Sequence, residues 1–234
     1  MRILLDTAFI DPSYAHFWQN SARYLSVRER YELDQRGYRL NLRRLQFIVG
    51  RLLLKRLLSC EMNLDFESID ILPSNNGKPL LFLQGCLVEE IDLSVAHYAK
   101  TIFVSAGSKC RCGVDIQSIC SVDWDAVERV MGWSVSNKQQ WSGISFDSGR
   151  ESYLAPQARA ALIWSGYEAW LKLHRCELPY TKFCWRHISL LETDPVTHSQ
   201  IFEMFLEHGH SYNQCRILLK FCSDEVFAFA MQAS

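Results

Sequence analysis

The stretch Trp164-Ser165-Gly166-Tyr167-Glu168-Ala169-Trp170-Leu171-Lys172 decides how this chain is read. It lies in a run from Gln157 to Arg175 that predicts one helix. Ala158, Ala160, Ala161, Leu162, Leu171 and Leu173 favour helix, and Pro156 suits a position just before the first turn. At about 100° per residue, Leu162, Gly166, Ala169, Trp170 and Leu173 share one face and form a packing surface. Glu168 and Lys172 are one turn apart on a different face. Alone, they would be an exposed ion pair contributing roughly 0.3–0.5 kcal/mol. A second short stretch, Gly113-Val114-Asp115-Ile116-Gln117, adds a carboxylate and an amide upstream and changes that assessment.

A chain of 234 residues can bury a substantial core and suits one domain with two lobes, or two small domains. Hydrophobic content of 48% with 22% charged residues is ordinary for a soluble globular protein. A formal net charge of −1 argues against nucleic acid or an anionic membrane as main partner. No apolar run approaches a membrane span, and Met1–Ile10 lacks the basic start and apolar centre of a signal peptide. The nine cysteines are odd in number, and Cys110 and Cys112 are too close for a common metal knuckle. Reduced thiols and a cytoplasmic location are expected.

In chain order, Ser26-Val27-Arg28-Glu29 has the form of a capping box opening a helix to about Gln35, with Gly37 ending it. A longer helix is expected over Asn41–Cys60, with Leu45, Ile48, Val49, Leu52, Leu53 and Leu57 as its apolar face. Arg44, Arg51 and Lys55 fall within about 40° of one another elsewhere on it. Such a stripe is either a solvated basic face or a site neutralised by an anion or an acidic partner. Ser68–Leu72 and Leu80–Leu83 predict strands, joined by a loop in which Gly77 can take positive φ and Pro79 keeps Lys78 extended. Ile91–His97 and Thr101–Ala106 predict paired strands, followed by a turn over Gly107–Arg111 and a strand over Cys112–Ile116. A helix over Asp123–Met131, a polar segment over Gly132–Arg150, and strands over Phe183–Leu190, Gln200–Leu206, Cys215–Cys222 and Val226–Met231 complete an α+β order.

Taken together, these stretches resemble the surfactin-type 4′-phosphopantetheinyl transferase family. That family's pattern is a G-[IV]-D-[IVL]-E segment followed by W-[ST]-x-K-E-[AS]-x-x-K. It is matched here by Gly113–Gln117 and by Trp164, Ser165, Glu168, Ala169 and Lys172. Val49-Gly50-Arg51, Asn76-Gly77-Lys78-Pro79 and Ser94-Val95-Ala96-His97 fall in the family's order, so the resemblance spans about residue 43 to residue 172. Four positions depart from the pattern. Gln117 and Asn137 (after Trp133-Ser134) replace glutamates, Tyr167 replaces a lysine, and Ser94 is separated from His97 where the family has adjacent Ser-His.

The resemblance implies transfer of the phosphopantetheine arm from coenzyme A to a serine of an apo acyl or peptidyl carrier protein. Asp115, Glu168 and Gln117 would hold Mg²⁺. Glu168 would be the base, and Lys172 would contact phosphate or leaving group. Arg44, Arg51, Lys78, His97 and Lys172 would meet coenzyme A. For Lys78 the alternative is an exposed turn lysine, for His97 a polar strand end; Ser94 reads as a plain strand residue. The implied fold is α+β: two similar lobes related by a pseudo-twofold, divided as 1–112 and 113–234. Each is a small antiparallel sheet packed on a long helix, with the ligand between them and the protein a monomer. The alternative function is a catalytically weakened relative that binds coenzyme A or a carrier protein as a regulator or scaffold.

Overall fold

The structure, a computed structural model, describes residues 2–11, 13, 15–37, 42–120, 122–123, 145–146, 156–174, 184–193, 200–208, 211–222 and 225–233. It divides into two compact units, Met1–Val114 with Ala233–Ser234, and Asp115–Gln232.

The first unit contains β1 (Arg2–Phe9), α1 (Ala15–Asn20), a 3₁₀ turn (Ser21–Tyr24), α2 (Val27–Gln35) and α3 (Leu42–Met62). These are followed by β2 (Ile69–Pro73), β3 (Pro79–Leu83), β4 (Cys86–Leu87), β5 (Ile91–Tyr98), β6 (Thr101–Ser108) and the start of β7 (Cys110–Ser118). Two antiparallel sheets form, in the orders β1-β6-β5 and β2-β3-β4. The apolar face of α3 fills the core against both: Leu53, Leu54 and Leu58 pack in one cluster with Ile71, Leu81 and Ile102. Gly50 lets α3 lie close to the β1-β6-β5 sheet, since a Cβ there would stand 3.4 Å from Val95 Cγ1.

Glu29 ties these elements together. Ser26 caps α2 in a complete capping box, its hydroxyl accepting from the Glu29 N–H while Glu29 Oε2 accepts from the Ser26 N–H at 2.7 Å. The same carboxylate accepts from the Ile71 N–H of β2 at 2.9 Å and from Lys55 Nζ of α3 at 3.1 Å. Glu29 is 0% exposed and Lys55 is also buried. One side chain therefore fixes a helix end, a strand and a second helix, and satisfies itself in doing so.

The second unit holds the rest of β7, then β8 (Ser145–Phe146), α4 (Pro156–His174), β9 (Cys184–Thr193), β10 (Gln200–His208), β11 (Ser211–Cys222) and β12 (Glu225–Ala233). Its six-stranded sheet has the order β7-β12-β11-β10-β9-β8, with β9 to β12 successively antiparallel and β8 parallel to β9. Helix α4 packs on β11, whose Ile217 and Leu219 are buried. The class is α+β, each unit having a long helix and antiparallel strands.

Several boundaries shift from the sequence expectation. The turn expected over Gly107–Arg111 shrinks to the neighbourhood of Lys109, whose φ is +56° and whose N–H donates to the Glu90 carbonyl at 3.1 Å, so β6 and β7 run longer. Strand β1 was not anticipated; its unbroken Ile3-Leu4-Leu5 run lacks the alternation that marks a strand. Helix α4 is buried on nearly every side, including Ala160, Ile163 and Tyr167, not on the one predicted face. The helix expected over Asp123–Met131 lies beyond Asp123 outside the described residues. So does most of Gly132–Arg150, including Trp133, Ser134 and Asn137.

Breaking the Glu29 node leaves an uncompensated ammonium in the core. Glu29→Gln is expected to lower unfolding free energy by about 3–5 kcal/mol, against about 1 kcal/mol for Ser26→Ala, as measured by urea denaturation.

Candidate functional site

Strand β7 alternates between two environments. Val114 and Ile116, both buried, share one face, while Asp115 and Gln117 share the other. Asp115 is only 4% exposed. Its partner comes from α4: Lys172 Nζ donates to Asp115 Oδ1 at 2.8 Å, across a separation of 57 residues. The exposed Glu168–Lys172 pair that spacing alone would give is thus replaced by a tertiary one, and Glu168 is left without an ion pair among the described residues.

Charge is not balanced here. Burial holds the Asp115 carboxyl above the usual carboxylate range; Lys172 opposes this, as do hydrogen bonds from the Gln117 side chain and the Ile116 N–H. Burial also raises Glu168, the Asp115 charge raises it further, and Lys172 again opposes. Asp115 Oδ2 makes no hydrogen bond of normal geometry among the described residues. Asp115, Glu168 and the Gln117 amide are all hard oxygen donors. That set fits a divalent cation such as Mg²⁺, which takes one or two carboxylates and fills its remaining positions with water or phosphate. No group of three or more His, Cys, Asp or Glu side chains gathers among the described residues.

In the first unit, the basic residues singled out by sequence meet separate fates. Lys55 pairs with Glu29, Arg44 approaches Asp34 Oδ1 at 3.5 Å, and Arg51 is buried with its guanidinium 4.1 Å over the Phe47 ring. The stripe is therefore met by acidic and aromatic partners and is not a solvated face. Lys78 is no exposed turn lysine: its ammonium donates to Asp92 Oδ2 at 2.6 Å and to the Cys112 carbonyl at 3.0 Å, all buried. His97 is exposed at the end of β5, 3.3 Å from Arg43 Nη1. Arg43 was not singled out from sequence. It differs from Arg44 by one step around α3, and only the placement of β5 selects it. Ser94 is structural, its Oγ accepting the Val114 N–H at 3.1 Å. Tyr167 is buried, its ring centroid 6.1 Å from that of Trp164.

A scan against protein-family models and a search of the curated proteins return no match. Among solved structures, the chain is similar to a holo-(acyl-carrier-protein) synthase from Bacillus anthracis str. Ames in complex with CoA (3′,5′-ADP), at 20% identity and a TM-score of 0.36. That alignment covers 44% of this chain and 91% of the other. No described helix is long and apolar enough to cross a membrane.

The raised carboxyls give a signed expectation. A carboxyl held above its ordinary value in the fold ionises first in the unfolded chain, so its charge opposes folding. That penalty is absent below the ordinary carboxylate range and grows as pH rises towards the folded-state value. Glu168→Gln is expected to raise the thermal midpoint at pH 8, with the gain vanishing near pH 4, as followed by circular dichroism.

Proposed function

We propose that this chain is a 4′-phosphopantetheinyl transferase of the surfactin type. It would move the phosphopantetheine arm of coenzyme A to a serine of an apo acyl or peptidyl carrier protein and release adenosine 3′,5′-bisphosphate. The observation that carries the reading is the 2.8 Å contact of Lys172 with Asp115, with Glu168 beside it. It joins two motif stretches far apart in sequence at the residues to which the resemblance gives chemical roles.

Asp115, through its unserved Oδ2, and Glu168 would hold Mg²⁺, with Gln117 adding an uncharged oxygen. When bound, the ion neutralises charge on the pyrophosphate oxygens. Lys172 opposes the effect of burial on Asp115 and fixes that carboxylate in place. The serine Oγ attacks the β-phosphorus, its proton passing to Glu168, whose affinity for protons is raised by burial. The bond from the β-phosphorus to the bridging oxygen breaks, and adenosine 3′,5′-bisphosphate leaves with the electron pair. Lys172, one-third exposed, stabilises that developing charge. Arg44, Arg51 and His97 are proposed contacts for the phosphates of coenzyme A. Lys78 would act on that site through the Asp92 network.

A second reading, a non-catalytic binder of coenzyme A or carrier protein, draws support from Gln117, which hydrogen-bonds Asp115, and from Tyr167, a buried phenol where a lysine charge is usual. One experiment separates the two. Mass spectrometry of apo carrier protein incubated with coenzyme A and Mg²⁺ is expected to show the added phosphopantetheine for wild type, and none for Asp115→Asn or Glu168→Gln. Magnesium chloride alone should raise the thermal midpoint of wild type but not of Asp115→Asn. Arg51→Ala should weaken coenzyme A binding by one to two decades in calorimetry, about 1.5–3 kcal/mol for a charge-assisted contact. Unmodified carrier with intact coenzyme A binding would favour the binder.

A further inference from the structure

Strand β7 ends its sheet, with β12 as its one ladder neighbour among the described strands. A strand in that place has a row of N–H and C=O groups that no second strand meets. Ahead of Asp115, side chains of β5 meet that row instead. The Cys112 N–H donates to Asp92 Oδ2 at 2.8 Å, and the Val114 N–H donates to Ser94 Oγ at 3.1 Å. Lys78 Nζ donates both to Asp92 Oδ2, at 2.6 Å, and to the Cys112 carbonyl, at 3.0 Å. Asp92 and Ser94 stand two positions apart on β5, and Cys112 and Val114 two positions apart on β7. Both pairs keep the period of a strand, so one face of β5 serves successive N–H groups along β7.

Asp92 and Ser94 are both buried. A carboxylate and a hydroxyl are costly ways to fill a core, where apolar side chains serve better. What hydrogen bonds supply and apolar packing does not is register. A slip of one residue turns every side chain of a strand to its opposite face. In β7 that slip would carry Asp115 to the face of Val114 and Ile116, away from Lys172 Nζ, which stands 2.8 Å from Asp115 Oδ1. Val114 directly precedes Asp115, so the Ser94 bond holds the peptide next to the carboxylate.

We propose that Asp92 and Ser94 are positioning residues: they lock the register of β7 and thereby hold Asp115 in its contact with Lys172. This rests on the transferase reading, in which Asp115 is a Mg²⁺ ligand. Both residues act through the backbone of β7, one step behind the groups that meet the ion.

Two measurements on the full chain test it, with Ser21→Ala as the control. That variant removes another buried hydroxyl, whose Oγ donates to the Phe17 carbonyl at 3.0 Å, far in sequence from β7. Hydrogen exchange followed by mass spectrometry, without metal or coenzyme A, reads the lock. Ser94→Ala is expected to speed exchange over residues 113–118 about tenfold, Ser94→Thr to restore it, and Ser21→Ala to leave it at the wild-type rate. The rise of the thermal midpoint with magnesium chloride then reads the position of Asp115. Ser94→Ala should weaken the apparent Mg²⁺ affinity about tenfold, the loss typical of a residue that orients a metal ligand, with Ser94→Thr near wild type. Asp92→Asn keeps an oxygen for the Cys112 N–H and should weaken it less than Asp92→Ala. Unchanged exchange in Ser94→Ala overturns the proposal. So does faster exchange with wild-type Mg²⁺ affinity, or an equal loss of affinity in Ser21→Ala. Faster exchange in a protein whose wild type takes up no Mg²⁺ counts against the transferase reading alone, and the register lock stands.

Discussion

A carboxylate taken out of water needs a cation and enough hydrogen-bond donors to replace its hydration, and the described part of this protein meets that demand three times with a lysine. Glu29 has Lys55 and the N–H groups of Ser26 and Ile71. Asp92 has Lys78 and the N–H of Cys112. Asp115 has Lys172, but its second oxygen is unserved and a second carboxylate, Glu168, stands near enough to oppose its charge. Two of the arrangements are closed and hold the fold; the third is open.

The same contrast explains why sequence alone does not assign partners to the basic residues. A lysine or arginine in a sequence carries no mark of the acid it will meet, because that acid comes from another element. Lys55 and Glu29 are joined only when α2 is capped against β2, and Lys78 and Asp92 only when the loop after β2 returns over β5. Helical spacing puts Arg44, Arg51 and Lys55 on one face, yet their partners differ: a surface aspartate, an aromatic ring and a buried glutamate.

The elements most legible in the sequence were those whose signals are local. The capping box at Ser26 and Glu29, positive φ at Gly77, the paired strands β5 and β6, and helix α4 each rest on residues within a few positions of one another. Less legible was whatever depends on burial. Strand β1 has no clean alternation, and α4 is wrapped on sides that a single apolar stripe does not foretell. At the site, the motifs brought Asp115, Glu168 and Lys172 forward together. They did not indicate that Lys172 would choose Asp115 over the glutamate one turn away, because only the strand's position settles that competition.

Cys112 is enclosed by the Asp92 network through each of its polar groups. Its N–H donates to Asp92 Oδ2, its thiol to the Asp92 carbonyl at 3.2 Å, and its own carbonyl receives Lys78. Burial, and then the Asp92 charge, push the thiol up to about 12, so almost none of it is thiolate at neutral pH. Cys60, Cys86 and Cys120 are exposed by comparison. An alkylating reagent would consume those three at once and reach Cys112 only when the Lys78–Asp92 pair separates. Alkylation of Cys112 thus reports the opening of the buried network that holds it in the first unit.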